Sequence, residues 1–378
     1  MKSIVRRIAL AVIAVAALII IIFLAIYSSR FKTIGSIEKL TDYDEYNVYK
    51  MDVKYDYSLD DVIDHGISDT QTLIDAIVAE ALPLLPVHIE VPSFGCSAFS
   101  VTSPEGNILM GRNYDFKYDT SALMIYCTPK DGYKSVAFAA LDNIGADIPD
   151  ESMAKKMACL TAPFICLDGM NEKGVSMAVL TLDSEPTVQN TGKPVIATSL
   201  AIRLVLDRAA STQEAVDLLE SYDMFAANGR DYHFFITDAN GDSRVVEYDC
   251  NSGLRDMTVT PSRAVTNFFI MYKDLVLPNQ HNDPYGHGRE RYDAMEEIFG
   301  DNETLDREDA WAALKAASQE PKEGDVTSNT QWSILYDDTA LTADMVLRRD
   351  WSTVTHYELD SNEVSNGESV EEVVKIIG

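Results

Sequence analysis

Basic residues are scarce in this chain. Its 378 residues hold 31 lysines and arginines against 60 aspartates and glutamates, a formal net charge of −29. Five of the bases (Lys2, Arg6, Arg7, Arg30 and Lys32) fall in the first 32 positions, which hold no acid. The remainder carries 26 bases against 60 acids, a net charge of −34. Such a body repels nucleic acid and anionic lipid, and its charge favours solubility. Cysteine is also sparse: Cys96, Cys127, Cys159, Cys166 and Cys250, with no CxxC pair, so no zinc or dithiol redox motif is present. An odd count leaves at least one thiol unpaired. The six histidines (His65, His88, His233, His281, His287 and His356) sit in no protease-like context and form no metal-ligand spacing. No glycine-rich phosphate loop and no internal repeat occurs. No cofactor or metal is expected.

One long hydrophobic run is present. Residues 8–27 are uninterrupted by charge, and twenty apolar residues span about 30 Å of hydrocarbon as a helix. Lys2, Arg6 and Arg7 precede the run, which predicts a cytoplasmic N-terminus. The run is longer than a signal-peptide core, and Tyr27-Ser28-Ser29-Arg30 is a poor cleavage site. The expectation is an uncleaved single-pass anchor over residues 1–32, with residues 33–378 outside the cytoplasmic membrane.

Residues 33–56 are polar and aromatic and read as a stalk or irregular segment. Residues 58–82 carry a helical apolar pattern, interrupted at Gly66. Pro83, Pro86 and Pro92 then forbid helix and lay the chain out extended as far as Cys96. The 33–95 block reads as a stalk and pro-segment, or covering arm, ahead of a catalytic domain at 96–378. From residue 96 the texture is short strands, predicted at 97–103, 107–112, 122–127, 134–140, 163–168, 175–182, 231–237, 243–249, 257–260 and 332–336. Turns fall at 104–107, at 168–174 and at the Asn240-Gly241 pair. Helices are predicted within 198–222, with Ser211 and Glu214 as a capping box, and at 289–299 and 306–318. Strands and paired helices in this order suggest a layered α+β domain.

The chemistry centres on Phe94-Gly95-Cys96-Ser97-Ala98-Phe99 and Gly111-Arg112-Asn113-Tyr114-Asp115-Phe116. A hairpin through Pro104-Glu105-Gly106-Asn107 brings Arg112 and Asp115 back beside Cys96. A cysteine nucleophile usually needs a histidine base. If the Gly95–Cys96 bond is cut, Cys96 instead gains an α-amino group with a pKa of about 7.7–8.0, which can take the thiol proton itself. Gly95 has no side chain, so attack by the thiol on its preceding carbonyl is sterically open. Arg112 would favour the thiolate and Asp115 would orient the ammonium.

These two blocks resemble the choloylglycine hydrolase and penicillin V acylase family of N-terminal nucleophile hydrolases, with fungal isopenicillin acyltransferases and acid ceramidases as more distant relatives. The family pattern places an arginine sixteen and an aspartate nineteen residues after the cysteine, and Arg112 and Asp115 match both. Asp168-Gly169-Met170-Asn171-Glu172-Lys173-Gly174 resembles the family's Asn-Glu-Lys-Gly turn. Val265-Thr266-Asn267-Phe268 resembles its Thr-Asn motif, whose asparagine is an oxyanion donor. Arg289-Glu290-Arg291-Tyr292 resembles its arginine-aromatic helix, with Arg291 the better match to the active-site arginine. Two features depart from the pattern. Thr181 stands where the bile-salt enzymes carry an asparagine, and 95 residues precede the cysteine where many relatives have a short leader.

The resemblance implies a four-layer αββα sandwich and a hydrolase of linear, non-peptide N-acyl amides, made active by self-cleavage at Gly95–Cys96. It implies Cys96, Arg112, Asp115, Asn267 and Arg291 as catalytic residues, with Thr181 and Asn171 as weaker substrate or oxyanion candidates. The partner is then a small N-acyl amide, such as a bile conjugate, a phenoxyacyl penicillin or an acyl-homoserine lactone. An acyltransferase sharing the thioester, a tethered binding protein with a dead site, and a histidine-dependent peptidase are the competing readings. An oligomer is compatible with the sequence.

Overall fold

The computed structural model describes residues 2–83, 95–116, 119–280, 283–321 and 329–370. Pro86 and Pro92, and with them most of the expected extended run, lie outside the described residues. The chain opens with helix α1 (Lys2–Ile34), strands β1 (Glu38–Lys39) and β2 (Val48–Asp52), and helices α2 (Leu59–Asp64) and α3 (Thr70–Ala81). A hairpin of β3 (Gly95–Thr102) and β4 (Ile108–Asp115) follows, then β5 (Ala122–Cys127), β6 (Ser135–Ala140), α4 (Met153–Ala158), β7 (Asp168–Asn171) and β8 (Val175–Leu182). Next come β9 (Val195–Ala197), α5 (Thr198–Arg208), α6 (Thr212–Glu220), β10 (Asp223–Phe225), β11 (Asp231–Asp238), β12 (Ser243–Tyr248), β13 (Met257–Pro261) and β14 (Ala264–Val265). Helices α7 (Arg289–Phe299) and α8 (Arg307–Ala317) precede the last strands, β15 (Thr330–Asp337), β16 (Thr342–Leu347), β17 (Val354–Glu358) and β18 (Glu363–Glu368).

Two sheets form the body. One has nine strands in the order β1-β2-β5-β6-β7-β8-β11-β12-β13, the other seven in the order β14-β3-β4-β15-β16-β17-β18. Helices α5 and α6 pack on β7, β8, β11 and β12; α7 and α8 pack on β14, β4 and β15; β3 faces β8 and β11 across the middle. The layers are therefore helix, sheet, sheet, helix. The central strands are covered on both faces, so β4, β8 and β11 are buried at every position instead of alternating.

Several expectations need correction. Residues 159–164 form a 3₁₀ turn instead of the start of a strand at 163, and Pro163 lies inside it. With no N–H to give a ladder, a proline there delays the strand until Asp168. The 58–82 helix is two helices, broken at His65-Gly66 and restarted by Asp69, which makes a capping box with Thr72. Residues 33–56 are not irregular throughout: β2 pairs in parallel with β5, and β1 pairs with β2. Six further strands, β9, β10, β14 and β16 to β18, lie outside the predicted ranges, and β7 occupies Asp168–Asn171, where a turn is expected.

Helix α1 continues past the expected end at residue 27. Its Arg6–Ile34 portion is long and apolar enough to cross a membrane, with the large apolar side chains from Ile8 to Leu24 exposed and Tyr27 and Ile34 buried. Asn171 works as a turn former. Its Oδ1 accepts from the Lys173 and Val175 backbone nitrogens at 3.0 and 3.1 Å, and its Nδ2 donates to the Leu206 and Ala209 carbonyls at 3.0 and 2.8 Å. The amide thus ties the β7–β8 turn to the end of α5. Replacing it by alanine strands buried backbone groups, so Asn171→Ala should lower the unfolding free energy by about 2–3 kcal/mol in urea titration.

Candidate active site

Register places the first groups. In the β3–β4 hairpin Gly95 pairs with Asp115, Cys96 with Tyr114 and Ala98 with Arg112. On the other side of β3, Val265 of β14 pairs with Ala98, so continuing the chain by two residues brings Asn267 level with Cys96. Arg291 follows from helix α7, one turn after its N-cap at Gly288. Two glycines allow the close packing here. A Cβ on Gly288 would lie 2.4 Å from Arg291 Nη2, and one on Gly286 would lie 2.1 Å from the Asn267 carbonyl oxygen. Both have positive φ, +89° and +105°.

Cys96 is fully buried, and each of its polar groups is held. Its backbone N–H donates to Asn267 Oδ1 at 2.8 Å. Its carbonyl accepts from Arg291 Nη1 at 2.8 Å. Its sulfur receives hydrogen bonds from the Arg112 side chain and the Asp115 backbone N–H. Burial nevertheless pushes the thiol pKa up to about 12, with the Asp115 carboxylate adding to the rise and Arg112 opposing both. The sulfur is therefore a protonated thiol at neutral pH.

Arg291 ties the cluster together. Nη2 donates to Asn267 Oδ1 at 2.7 Å, and Nη1 also lies 3.3 Å from Asp115 Oδ2. Asp115 accepts in addition from Thr330 Oγ1 at 2.6 Å and Gln319 Nε2 at 2.7 Å. Asn267 Nδ2 donates to the Thr181 carbonyl at 2.8 Å and reaches Thr181 Oγ1 at 3.3 Å. Two donors, the Cys96 N–H and Arg291, face the other end of this amide, which fixes the oxygen there. Asn267 thus orients the Cys96 nitrogen through its oxygen, and its amide donor is turned toward Thr181. Arg289 lies elsewhere, bound to Asp293 at 2.7 Å and to the Lys273 carbonyl at 2.6 Å.

Arg112 is anchored from behind. Its Nε lies 3.2 Å from Asp168 Oδ2 and its Nη2 donates to the Val179 carbonyl at 3.1 Å, while Nη1 bonds the Asn113 carbonyl. The Tyr336 hydroxyl donates to the other Asp168 oxygen. Arg112 and Asp168 are both fully buried. Burial pushes the Asp168 carboxyl up, and Arg112 pulls it back. The structure therefore brings Cys96, Arg112, Asp115, Asn267, Arg291 and Thr181 together and leaves Asn171 in its turn.

Sequence reasoning missed Asp168, Tyr336, Thr330 and Gln319 as supports. Only Asp168 carried a signal, as the acid that opens the 168–174 turn. Three of the described histidines serve elsewhere: His233 bridges Glu247 and the Thr266 carbonyl at 3.0 and 2.9 Å, His287 binds Asp183 at 2.8 Å, and His356 binds Asp344 at 2.6 Å. Among the described residues no group of three or more His, Cys, Asp or Glu is placed to hold a metal ion.

The layered sandwich is similar to those of N-terminal nucleophile hydrolases. Two variants of conjugated bile acid hydrolase from Clostridium perfringens superpose with a TM-score of 0.51 each, at 16% and 15% identity, over 72% of this chain and 97% and 96% of theirs. Penicillin V acylase from Agrobacterium tumefaciens aligns at 17% identity and a TM-score of 0.49, over 72% of this chain and 90% of its own. The profile of the acyl-coenzyme A:6-aminopenicillanic acid acyl-transferase family matches residues 101–350, more than half of the chain. The chain belongs to this family, within the choloylglycine hydrolase and penicillin acylase group to which its cysteine and arginine blocks point.

The buried Arg112–Asp168 pair generates a stability test. Asp168→Ala leaves a guanidinium buried without its counter-charge and should cost about 3–5 kcal/mol. Tyr336→Phe keeps the ion pair and should cost only about 1 kcal/mol, both read from denaturant midpoints.

Proposed function

We propose that the protein cleaves linear N-acyl amides, or transfers their acyl group, with Cys96 acting as an N-terminal nucleophile. The observation that carries this reading is the separate fixing of the Cys96 nitrogen, carbonyl and sulfur, by Asn267, Arg291 and Arg112. A structural cysteine in a core needs its main-chain groups paired, but not by a buried asparagine and arginine side chain with a second guanidinium at its sulfur.

Maturation comes first. The Cys96 sulfur attacks the Gly95 carbonyl carbon, the carbon–nitrogen bond breaks, and the departing nitrogen takes the thiol proton. Water then hydrolyses the resulting thioester, releasing a Gly95 carboxylate and restoring the thiol. The new α-amino group replaces the missing histidine. It takes the thiol proton as sulfur attacks the substrate carbonyl, then returns it to the leaving amine, and water releases the acyl group. Arg112 stabilises the developing thiolate. Asn267 Nδ2 reaches the oxyanion by giving up its Thr181 carbonyl partner, and a donor of this kind is worth about 3–4 kcal/mol. Asp115 and Arg291 hold the ammonium and the Cys96 carbonyl.

Helix α1 anchors the protein in the cytoplasmic membrane with the catalytic body outside. The lysine and arginines before the apolar run support that orientation. The family match favours keeping acyl transfer beside hydrolysis, since both pass through one thioester and differ only in whether water or an amine accepts the acyl group.

Cys96→Ala should abolish both chain cutting and turnover of a panel holding a bile-acid conjugate, a phenoxyacyl penicillin and an N-acyl-homoserine lactone. Cleavage of any of these at the wild-type rate by Cys96→Ala would remove the mechanism. For the wild type, kcat/KM should rise with pH and level off above about pH 8, because the α-amino group must be neutral to accept the proton. Mass analysis of products formed with an added free amine separates transfer from hydrolysis.

A further inference from the structure

The strand that carries Asn267 toward Cys96 ends short of it. Strand β14 is only Ala264–Val265, and beyond it an isolated bridge between Phe268 and Gly286 is the next pairing. The proposed reaction asks Asn267 to keep Oδ1 on the Cys96 nitrogen while Nδ2 changes partner. That requires a fixed backbone at 266–267, and a two-residue strand supplies little of it.

A buried pair from the facing sheet supplies the rest. The register that sets Phe234 of β11 against Val246 of β12 puts His233 opposite Glu247. Both side chains are fully buried. His233 Nε2 lies 2.9 Å from the Thr266 carbonyl, in the peptide unit that leads into Asn267. Its Nδ1 lies 3.0 Å from Glu247 Oε1. Glu247 in turn accepts from the Ile270 N–H at 2.7 Å and the Met271 N–H at 3.0 Å, the first two of a 3₁₀ turn over Ile270–Leu275. The pair therefore grips the segment on both sides of Asn267. Two further bonds close the loop: the Thr266 hydroxyl donates to the Gly288 carbonyl at 2.9 Å, and the His287 N–H to the Asn267 carbonyl at 2.8 Å.

The partners fix the ring's protons. A carbonyl oxygen only accepts, so Nε2 is a donor, and one more proton lies between Nδ1 and the Glu247 carboxyl. The pair is then neutral as a whole, with a charge-assisted bond to hold the ring in place.

We propose that His233, backed by Glu247, is a positioning residue that holds the Thr266–Asn267 backbone level with Cys96. It touches no reacting atom and acts through Asn267. Its effect on turnover rests on the reading of Cys96 as the nucleophile; its effect on the Cys96 nitrogen does not.

Two substitutions separate the ring's two bonds. His233→Gln sets an amide nitrogen near the place of Nε2 and keeps a donor for the Thr266 carbonyl. His233→Asn sets one near the place of Nδ1 and keeps a donor only for Glu247. Asn171→Ala, destabilised in a distant turn, is the control. With the full chain in detergent, well below unfolding, His233→Asn should lower kcat about 10- to 100-fold with KM little changed. His233→Gln and Asn171→Ala should keep kcat within about threefold of the wild type. A second readout needs no turnover. In the Cys96→Ala chain residue 96 remains an amide, and its hydrogen exchange is compared with that of the Ser100 N–H, which bonds the Arg263 carbonyl on the same strand. Adding His233→Asn should speed exchange at residue 96 about tenfold more than at Ser100, while His233→Gln speeds both alike. Wild-type kcat in folded His233→Asn, equal kcat losses in the two variants, or equal exchange at the two positions overturns the proposal. If His233→Asn alone fails to fold, Glu247→Asp, which draws the carboxylate back by one methylene, is judged by the same criteria. Failure of both to fold also overturns it, since the pair would then support only the fold. A wild-type chain that turns over no N-acyl amide counts against the proposed reaction, and the exchange readout still decides the positioning.

Discussion

The hydrogen bond from the Cys96 backbone nitrogen to Asn267 Oδ1, 2.8 Å long, is the contact on which the site depends. It holds the nitrogen that would become the base, and it exists because two sheets deliver their residues to one point. The β14 register sets Asn267 beside Cys96, Thr181 on β8 of the facing sheet takes its amide, and Arg291 from α7 completes its oxygen. Moving any one of these elements by a residue would separate the amide from the nitrogen. The glycines at 286 and 288 are what let the chain approach so closely.

The electrostatics are arranged in two tiers. Arg112 faces the sulfur and is balanced from behind by Asp168, which is itself held by Tyr336. Arg291 faces the carbonyl and the amide and is balanced by Asp115, which is itself held by Thr330 and Gln319. Each cation near Cys96 thus has a buried counter-charge, so neither needs the thiolate for neutrality. Burial then wins over the nearby guanidinium and keeps the thiol protonated. Cutting the backbone would change the chemistry of the nitrogen without moving the residues that hold it.

What was legible in the sequence follows from distance along the chain. Cys96, Arg112 and Asp115 share one hairpin, so spacing alone brings them together. Asn267, Arg291 and Thr181 came from the family resemblance, because only tertiary register puts them beside the cysteine. Tyr336, Thr330 and Gln319 carry no local pattern at all. Strand β2 was read as stalk because its partner, β5, lies more than seventy residues on, and a parallel pairing leaves no hairpin signal. Strand β16 was obscured by Asp344, a buried acid that Arg307 and His356 hold in place. The 3₁₀ turn at 159–164 looked apolar enough for a strand, and Pro163 was the residue that argued otherwise.

The N-terminal sequence and intact mass of the purified, active full-length chain test the account most directly. The account predicts a catalytic piece that begins at Cys96, and a Cys96→Ala chain that stays whole. Fully active material in which Gly95 is still joined to Cys96 would contradict it, since no free amino group would then exist to accept the proton.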